Sequence, residues 1–328
     1  MARFSPSPRK RAALERLDNA NGIIGALAID QRGALQRMLA QGGQALGADG
    51  VVHFKELISQ ELTPYASSIL LDPEFGLPAT KVRAEGAGLL LAYEKTGYDT
   101  SEPGRFPDLI DDVSVLRIQA AGSDAVKLLL YYDVDEDAGI NERKQAFVER
   151  VGSECWAEDI PFFLELLTYD AKLEDVTGPD YAVLKPHKVN EAMREFSKAA
   201  YKVDVLKVEV PVNMNFVEGF SQGEVVYSRE AAMKAFQEQA QATHLPFIFL
   251  SAGVSAKLFQ DTLRFAKEAG SDFNGVLCGR ATWKDSVAIF AEQGEAACRE
   301  WLRSQGRQNM EDLNAVLAVT ATSWKEKL

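Results

Sequence analysis

Val205-Leu206-Lys207-Val208-Glu209-Val210-Pro211-Val212 reads as a strand that is apolar on both faces and interrupted by two charges. Runs of this kind belong to parallel sheets covered by helices. Lys207 is the anomaly. A lysine in the middle of such a strand must keep its charge beside a partner or lose it, because a low-dielectric surrounding disfavours the ammonium form. A neutral amine is the nucleophile that condenses with a carbonyl. The same oddity recurs at Lys127, within Asp124-Ala125-Val126-Lys127-Leu128-Leu129-Leu130, and Pro161-Phe162-Phe163-Leu164-Glu165-Leu166 carries a carboxylate in a third such run.

Working outward, eight apolar runs are expected to be strands: Ile23–Asp30, Ser67–Asp72, Gly88–Glu94, Ala125–Asp133, Phe162–Tyr169, Val205–Val212, Pro246–Ser251 and Gly275–Gly279. Helical patterns separate them at Gly50–Glu61, Glu142–Glu158, Lys188–Ala200, Ser228–Ala242, Ser255–Ala269 and Trp283–Ser304. Strands alternating with helices imply parallel pairing through crossovers. The count of eight predicts an α/β fold, a closed (β/α)8 TIM barrel. Met1–Asn21, Gln31–Pro64 and Asn309–Leu328 are additions to it, including N- and C-terminal helices, and no linker divides residues 1–328 into more than one domain. No Gly-x-Gly-x-x-Gly follows the first strand, which weakens a dinucleotide-binding reading.

The 328 residues carry a formal net charge of -12 and are 46% hydrophobic. That balance argues against non-specific nucleic-acid binding, which needs a basic footprint. Three widely spaced cysteines, Cys155, Cys278 and Cys298, fit a reduced, cytoplasmic protein. The polar N-terminus has no apolar stretch of a signal peptide, and no run reaches the ~18 residues of a membrane span. The histidines at 53, 187 and 244 have no metal-ligand spacing. Carbonyl chemistry in this chain is therefore expected to use an amine and no metal.

In a barrel the C-terminal ends of the strands form the active face. Asp30, Lys127, Glu165, Lys207, Ser251 and Arg280 fall within or at those ends. Alternation puts Lys127, Leu129 and Tyr131 on one face of their strand, and Lys207 and Glu209 on one face of theirs. If those faces point inward, Lys127, Glu165 and Lys207 converge from three adjacent strands. The competing reading puts Lys207 on the outer face, with its head reaching water. For Lys127 and Glu165 the competing reading is a buried ion pair. Ser251-Ala252-Gly253 and Gly279-Arg280 follow the last two strands, where barrels often present backbone N–H groups to phosphate.

Leu27-Ala28-Ile29-Asp30-Gln31-Arg32-Gly33, Val126-Lys127-Leu128-Leu129, Leu164-Glu165, Leu206-Lys207-Val208-Glu209, Leu250-Ser251-Ala252-Gly253 and Cys278-Gly279-Arg280 together resemble the class I tagatose 1,6-bisphosphate aldolases. The resemblance runs from about residue 10 to the C-terminus. It implies a (β/α)8 barrel and reversible cleavage of tagatose 1,6-bisphosphate, without a metal, to dihydroxyacetone phosphate and glyceraldehyde 3-phosphate. Lys207 matches the Schiff-base lysine, Glu165 the proton-transfer carboxylate and Lys127 the second active-site lysine. Asp30 and Gln31 match residues near the sugar hydroxyls, and Ser251, Gly253, Gly279 and Arg280 match the phosphate turns.

On this reading Lys127 favours the neutral amine at Lys207 by like-charge repulsion. The partner is a phosphorylated ketose, fructose 1,6-bisphosphate being a further candidate, and the additional terminal helices suggest a homodimer. Two other reactions stay open. One is cleavage of a sulfonated sugar phosphate, and the other is an isomerase or decarboxylase using Lys207 as general base. A third alternative, a sugar-phosphate sensor with a decayed site, is opposed by the intact Lys127–Glu165–Lys207 set.

Overall fold

The structure, a computed structural model, describes residues 4–41 and 47–328. Residues 1–3 and 42–46, parts of two of the segments read above as additions, lie outside the described residues. Eight parallel strands close into a barrel in sequence order: β1 (Ile24–Ala28), β2 (Ser68–Leu71), β3 (Gly88–Ala92), β4 (Ala125–Tyr132), β5 (Phe162–Thr168), β6 (Val205–Val208), β7 (Phe247–Leu250) and β8 (Gly275–Cys278). Every residue of β1, β2, β3, β6, β7 and β8 is buried, as expected of strands packed on both faces.

Closure of the ring depends on a glycine. Gly275 opens β8 at φ +142°, and a methyl group there would lie 2.0 Å from the carbonyl oxygen of Ile24 on β1. Only a residue without Cβ lets the last strand pair with the first. The N-terminal face of the barrel is crossed by the helix Pro8–Leu17, capped by the Ser7 hydroxyl. Its Lys10 pairs with Asp204 at 2.6 Å and its Arg16 with Asp124 at 2.5 Å, each just before a strand begins.

β6 is shorter than its sequence run suggests. Its pairing with β7 ends at Val208, and at the next residue the Glu209 backbone carbonyl accepts from the Gln239 side chain at 2.9 Å while its carboxylate accepts from Thr168 and Lys185. The helix expected at Lys188–Ala200 begins earlier and spans Pro179–Phe196, where Pro179 supplies a favoured first residue. The helix expected at Trp283–Ser304 is broken into Arg280–Trp283, Ser286–Gln293 and Glu295–Trp301, followed by a π-turn at Leu302–Gly306. Gly294, at φ +84°, makes the second break. The Arg307–Thr320 helix packs on the Ala256–Glu268 helix, and Asn314 donates to the Tyr65 carbonyl at 2.7 Å. No helix among the described residues is long and apolar enough to cross a membrane.

Candidate active site

Strand register assembles the site. Glu165 on β5 stands opposite Leu129 on β4 and opposite Lys207 on β6. Lys127 lies two residues before Leu129, on the same face. All three charged side chains point into the barrel and meet there. The Lys207 Nζ is 2.8 Å from Glu165 Oε1, and the Lys127 Nζ is 2.8 Å from Glu165 Oε2. One carboxylate thus bridges two amines, both almost fully buried.

Lys127 has further partners. Its Nζ lies 2.9 Å from Asp30 Oδ2 and 2.6 Å from Glu94 Oε1. Burial alone would push the Lys127 ammonium down, but Asp30, Glu165 and Glu94 reverse this and hold it well above the usual lysine range. Burial likewise pushes Glu165 and Asp30 up, and in each case Lys127 and Lys207 overcome it and hold the carboxyl below its ordinary value. Glu94 is different, since burial wins and raises it.

Sequence reasoning missed Glu94. It ends the third expected strand much as Asp30 ends the first, and that parallel was the available signal. Its Oε2 also accepts the Leu129 N–H at 3.1 Å, and its backbone carbonyl accepts from Arg32 Nη2 at 2.8 Å. Lys55 was missed as well. It is fully buried, is paired with Asp72, and donates to the Ile29 carbonyl at 2.8 Å, which fixes the backbone beside Asp30.

The turns after β7 and β8 lie together. Ala252 and Gly253 both take left-handed backbone, at φ +48° and +79°. A methyl group on Gly253 would stand 3.1 Å from Arg280 Nη2, so the exposed guanidinium sits over the turn. Ser251 is buried beneath it. A methyl group on Gly279 would come 2.8 Å from the Ala28 carbonyl oxygen and 3.6 Å from the Gln31 amide nitrogen. Gln31 therefore lies against the end of β8, with its Oε1 buried and unpartnered among the described residues.

Several other polar groups have roles of their own. Glu209 forms a 2.9 Å ion pair with Lys185. In the acidic run Asp133–Asp137, Asp133 and Asp135 are held by Lys188, and Asp137 caps the Ala138–Ala157 helix. The Cys278 thiol is pushed up to about 12 by burial, which suits a packing role. His187 lies within a helix, beside Asp135. Among the described residues no group of three or more His, Cys, Asp or Glu side chains could hold a metal ion. A cavity of about 610 Å³ lies between Pro73–Leu77 and Asp112–Ala121, away from the lysines.

The DeoC/LacD family aldolase profile matches residues 24–285, which span the whole barrel. The chain belongs to the DeoC/LacD aldolase family. The aldolase is 64% identical to tagatose 1,6-diphosphate aldolase 2 of Enterococcus faecalis, over 97% of this chain and 96% of that protein. It is 59% identical to tagatose 1,6-diphosphate aldolase of Staphylococcus epidermidis, over 99% of this chain and 100% of that one. Among solved structures it resembles the fructose-bisphosphate aldolase of Plasmodium falciparum, with a TM-score of 0.73 at 14% identity, over 98% of this chain and 99% of the other. At that identity the likeness concerns the fold alone. The family resemblance carried by the Asp30, Lys127, Glu165, Lys207, Ser251 and Arg280 segments is borne out.

Proposed function

We propose that this aldolase cleaves tagatose 1,6-bisphosphate reversibly to dihydroxyacetone phosphate and glyceraldehyde 3-phosphate through a Schiff base at Lys207. The observation that carries the mechanism is the Glu165 carboxylate set 2.8 Å from each of two buried amines. The substrate is carried by the names of relatives that are 59 to 64% identical over nearly the whole chain.

Glu165 takes a proton from Lys207, and the neutral amine adds to the C2 ketone. The same carboxyl returns the proton to the carbinolamine hydroxyl, which leaves as water and yields the iminium. Loss of the C4 hydroxyl proton to Glu165 then breaks the C3–C4 bond. The electron pair flows through C3 into the iminium, giving an enamine and releasing glyceraldehyde 3-phosphate. Protonation at C3 and hydrolysis by water free dihydroxyacetone phosphate and Lys207. Asp30 orients substrate hydroxyls, Lys127 holds Glu165 in place, and Ser251, Gly253, Gly279 and Arg280 bind the phosphate next to the ketone, so that the carbonyl meets the amine.

This chemistry needs no metal. The test is a panel of ketose bisphosphates and sulfosugar phosphates, assayed with and without a chelator. Cleavage of tagatose 1,6-bisphosphate at an unchanged rate in chelator is expected. Sensitivity to chelator, or a preference for the sulfosugar, would overturn the reading.

A further inference from the structure

The segment between β3 and β4 leaves the barrel at Glu94, which bridges to Leu109, and carries Arg105 at its far end. The segment is pinned from outside. Arg143 of the Ala138–Ala157 helix pairs with Glu102 at 2.8 Å and covers the Phe106 ring at 3.7 Å. Arg105 takes left-handed backbone at φ +49°, unusual for a residue with Cβ. Its guanidinium lies 4.1 Å from the centroid of the Tyr169 ring and 5.3 Å from that of Tyr98. Tyr98 in turn meets Tyr131 edge-on at 4.8 Å. Tyr131 shares the inward face of β4 with Lys127, and Tyr169 shares the parity of Glu165 on β5.

Most nearby cations are committed. Lys95 pairs with Asp108 and Asp111, Arg143 with Glu102, and Lys188 with Asp133, Asp135 and Asp170. Lys144 donates to the Tyr169 hydroxyl, and Lys172 is exposed. Arg105 is half-buried and has neither an ion pair nor a hydrogen bond among the described residues. Stacking occupies the face of a guanidinium and leaves its N–H edge available, and that edge matches phosphate oxygens two at a time.

The order of groups around the barrel mouth supplies the ligand. The phosphate turns follow β7 and β8, Lys207 is on β6, Glu165 on β5, Tyr131 on β4, and Arg105 precedes β4. A ketose bisphosphate presents the same order along its chain: first phosphate, ketone, cleaved bond, second phosphate. We propose that Arg105 binds the second phosphate, the one that leaves on glyceraldehyde 3-phosphate, and so sets the preference for a bisphosphate. This rests on the aldolase reading above.

The experiment runs the reaction in the condensation direction, dihydroxyacetone phosphate with either glyceraldehyde 3-phosphate or unphosphorylated glyceraldehyde. In Arg105→Met the loss of kcat/KM with glyceraldehyde 3-phosphate should exceed the loss with glyceraldehyde by about tenfold or more, the scale of one charge-assisted contact. Arg105→Lys keeps the charge without the fork, folds more safely, and should give an intermediate ratio. An unchanged ratio in either variant, or equal losses with both aldehydes, overturns the assignment. Failure of the aldolase reading is a separate outcome, seen as absence of any condensation by the unmodified enzyme.

Discussion

Lys207 and Glu165 face each other across the β5–β6 register, with the Lys207 Nζ 2.8 Å from Glu165 Oε1. The proposed nucleophilic amine and its proposed proton acceptor are thereby placed by backbone pairing rather than by loops. Precision of this kind is what proton transfer in carbinolamine chemistry needs.

Replacing Glu165 with Gln keeps the shape and removes the proposed proton acceptor. The kcat for cleavage should fall by about 10²–10⁴-fold, the usual contribution of general acid–base catalysis. The pH profile offers a second check. Burial raises the Glu165 carboxyl, but Lys127 and Lys207 overcome it and hold it below 4.5 in the folded protein. The activity and stability owed to its charge are therefore fully present above 4.5 and lost as pH falls through the lower, folded value. Steady-state rates across the acid range would contradict this if the Glu165-dependent loss began near neutrality.

Glu94 is the most deeply placed of the three carboxylates around Lys127. Its Oε1 takes Lys127 and its Oε2 takes the Leu129 N–H, so it serves to position Lys127. In Glu94→Gln, kcat should drop by about tenfold, because one charge-assisted bond to Lys127 is lost. Lys127 is raised despite its burial, so its charge stabilises the protein fully below 10.5 and the effect is lost as pH climbs through the higher folded value. Asp30 and Glu165 still face it in the variant, and Lys207 and Arg32 lie beyond them. The alkaline loss should move to lower pH, and a pH–kcat profile identical to that of the parent protein would refute the role.

Lys55 and Asp72 form an ion pair with no solvent exposure beneath Asp30. Lys55→Met strands a buried carboxylate, which typically costs about 3–5 kcal/mol. Urea unfolding should show that loss as a lower midpoint. A change below about 1 kcal/mol, the range of exposed pairs, would mean that the pair contributes little.

All eight strands were legible in the sequence because two-sided burial writes itself as unbroken apolar runs. The meeting of Lys127, Glu165 and Lys207 followed from alternation once those runs were taken to face inward. Glu94 escaped because a charge at the end of a strand looks like a terminator. Lys55, Lys144 and Lys188 escaped for another reason. A lysine on a helix reads as part of the wet face, and only the tertiary partners Asp72, Tyr169 and Asp133 show otherwise. Arg105 sits in a segment without periodicity, so nothing in the chain placed it near Tyr169. The break at Gly294 was visible as a glycine, but the apolar pattern on both sides hid it.

The proposed mechanism turns on a covalent bond at one nitrogen, that of Lys207. The protein should be incubated with dihydroxyacetone phosphate, reduced with borohydride, digested, and its peptides mapped by mass. The expected result is a single stable adduct on the peptide carrying Lys207, absent in Lys207→Met. No adduct, or an adduct on Lys127 in place of Lys207, would contradict the account.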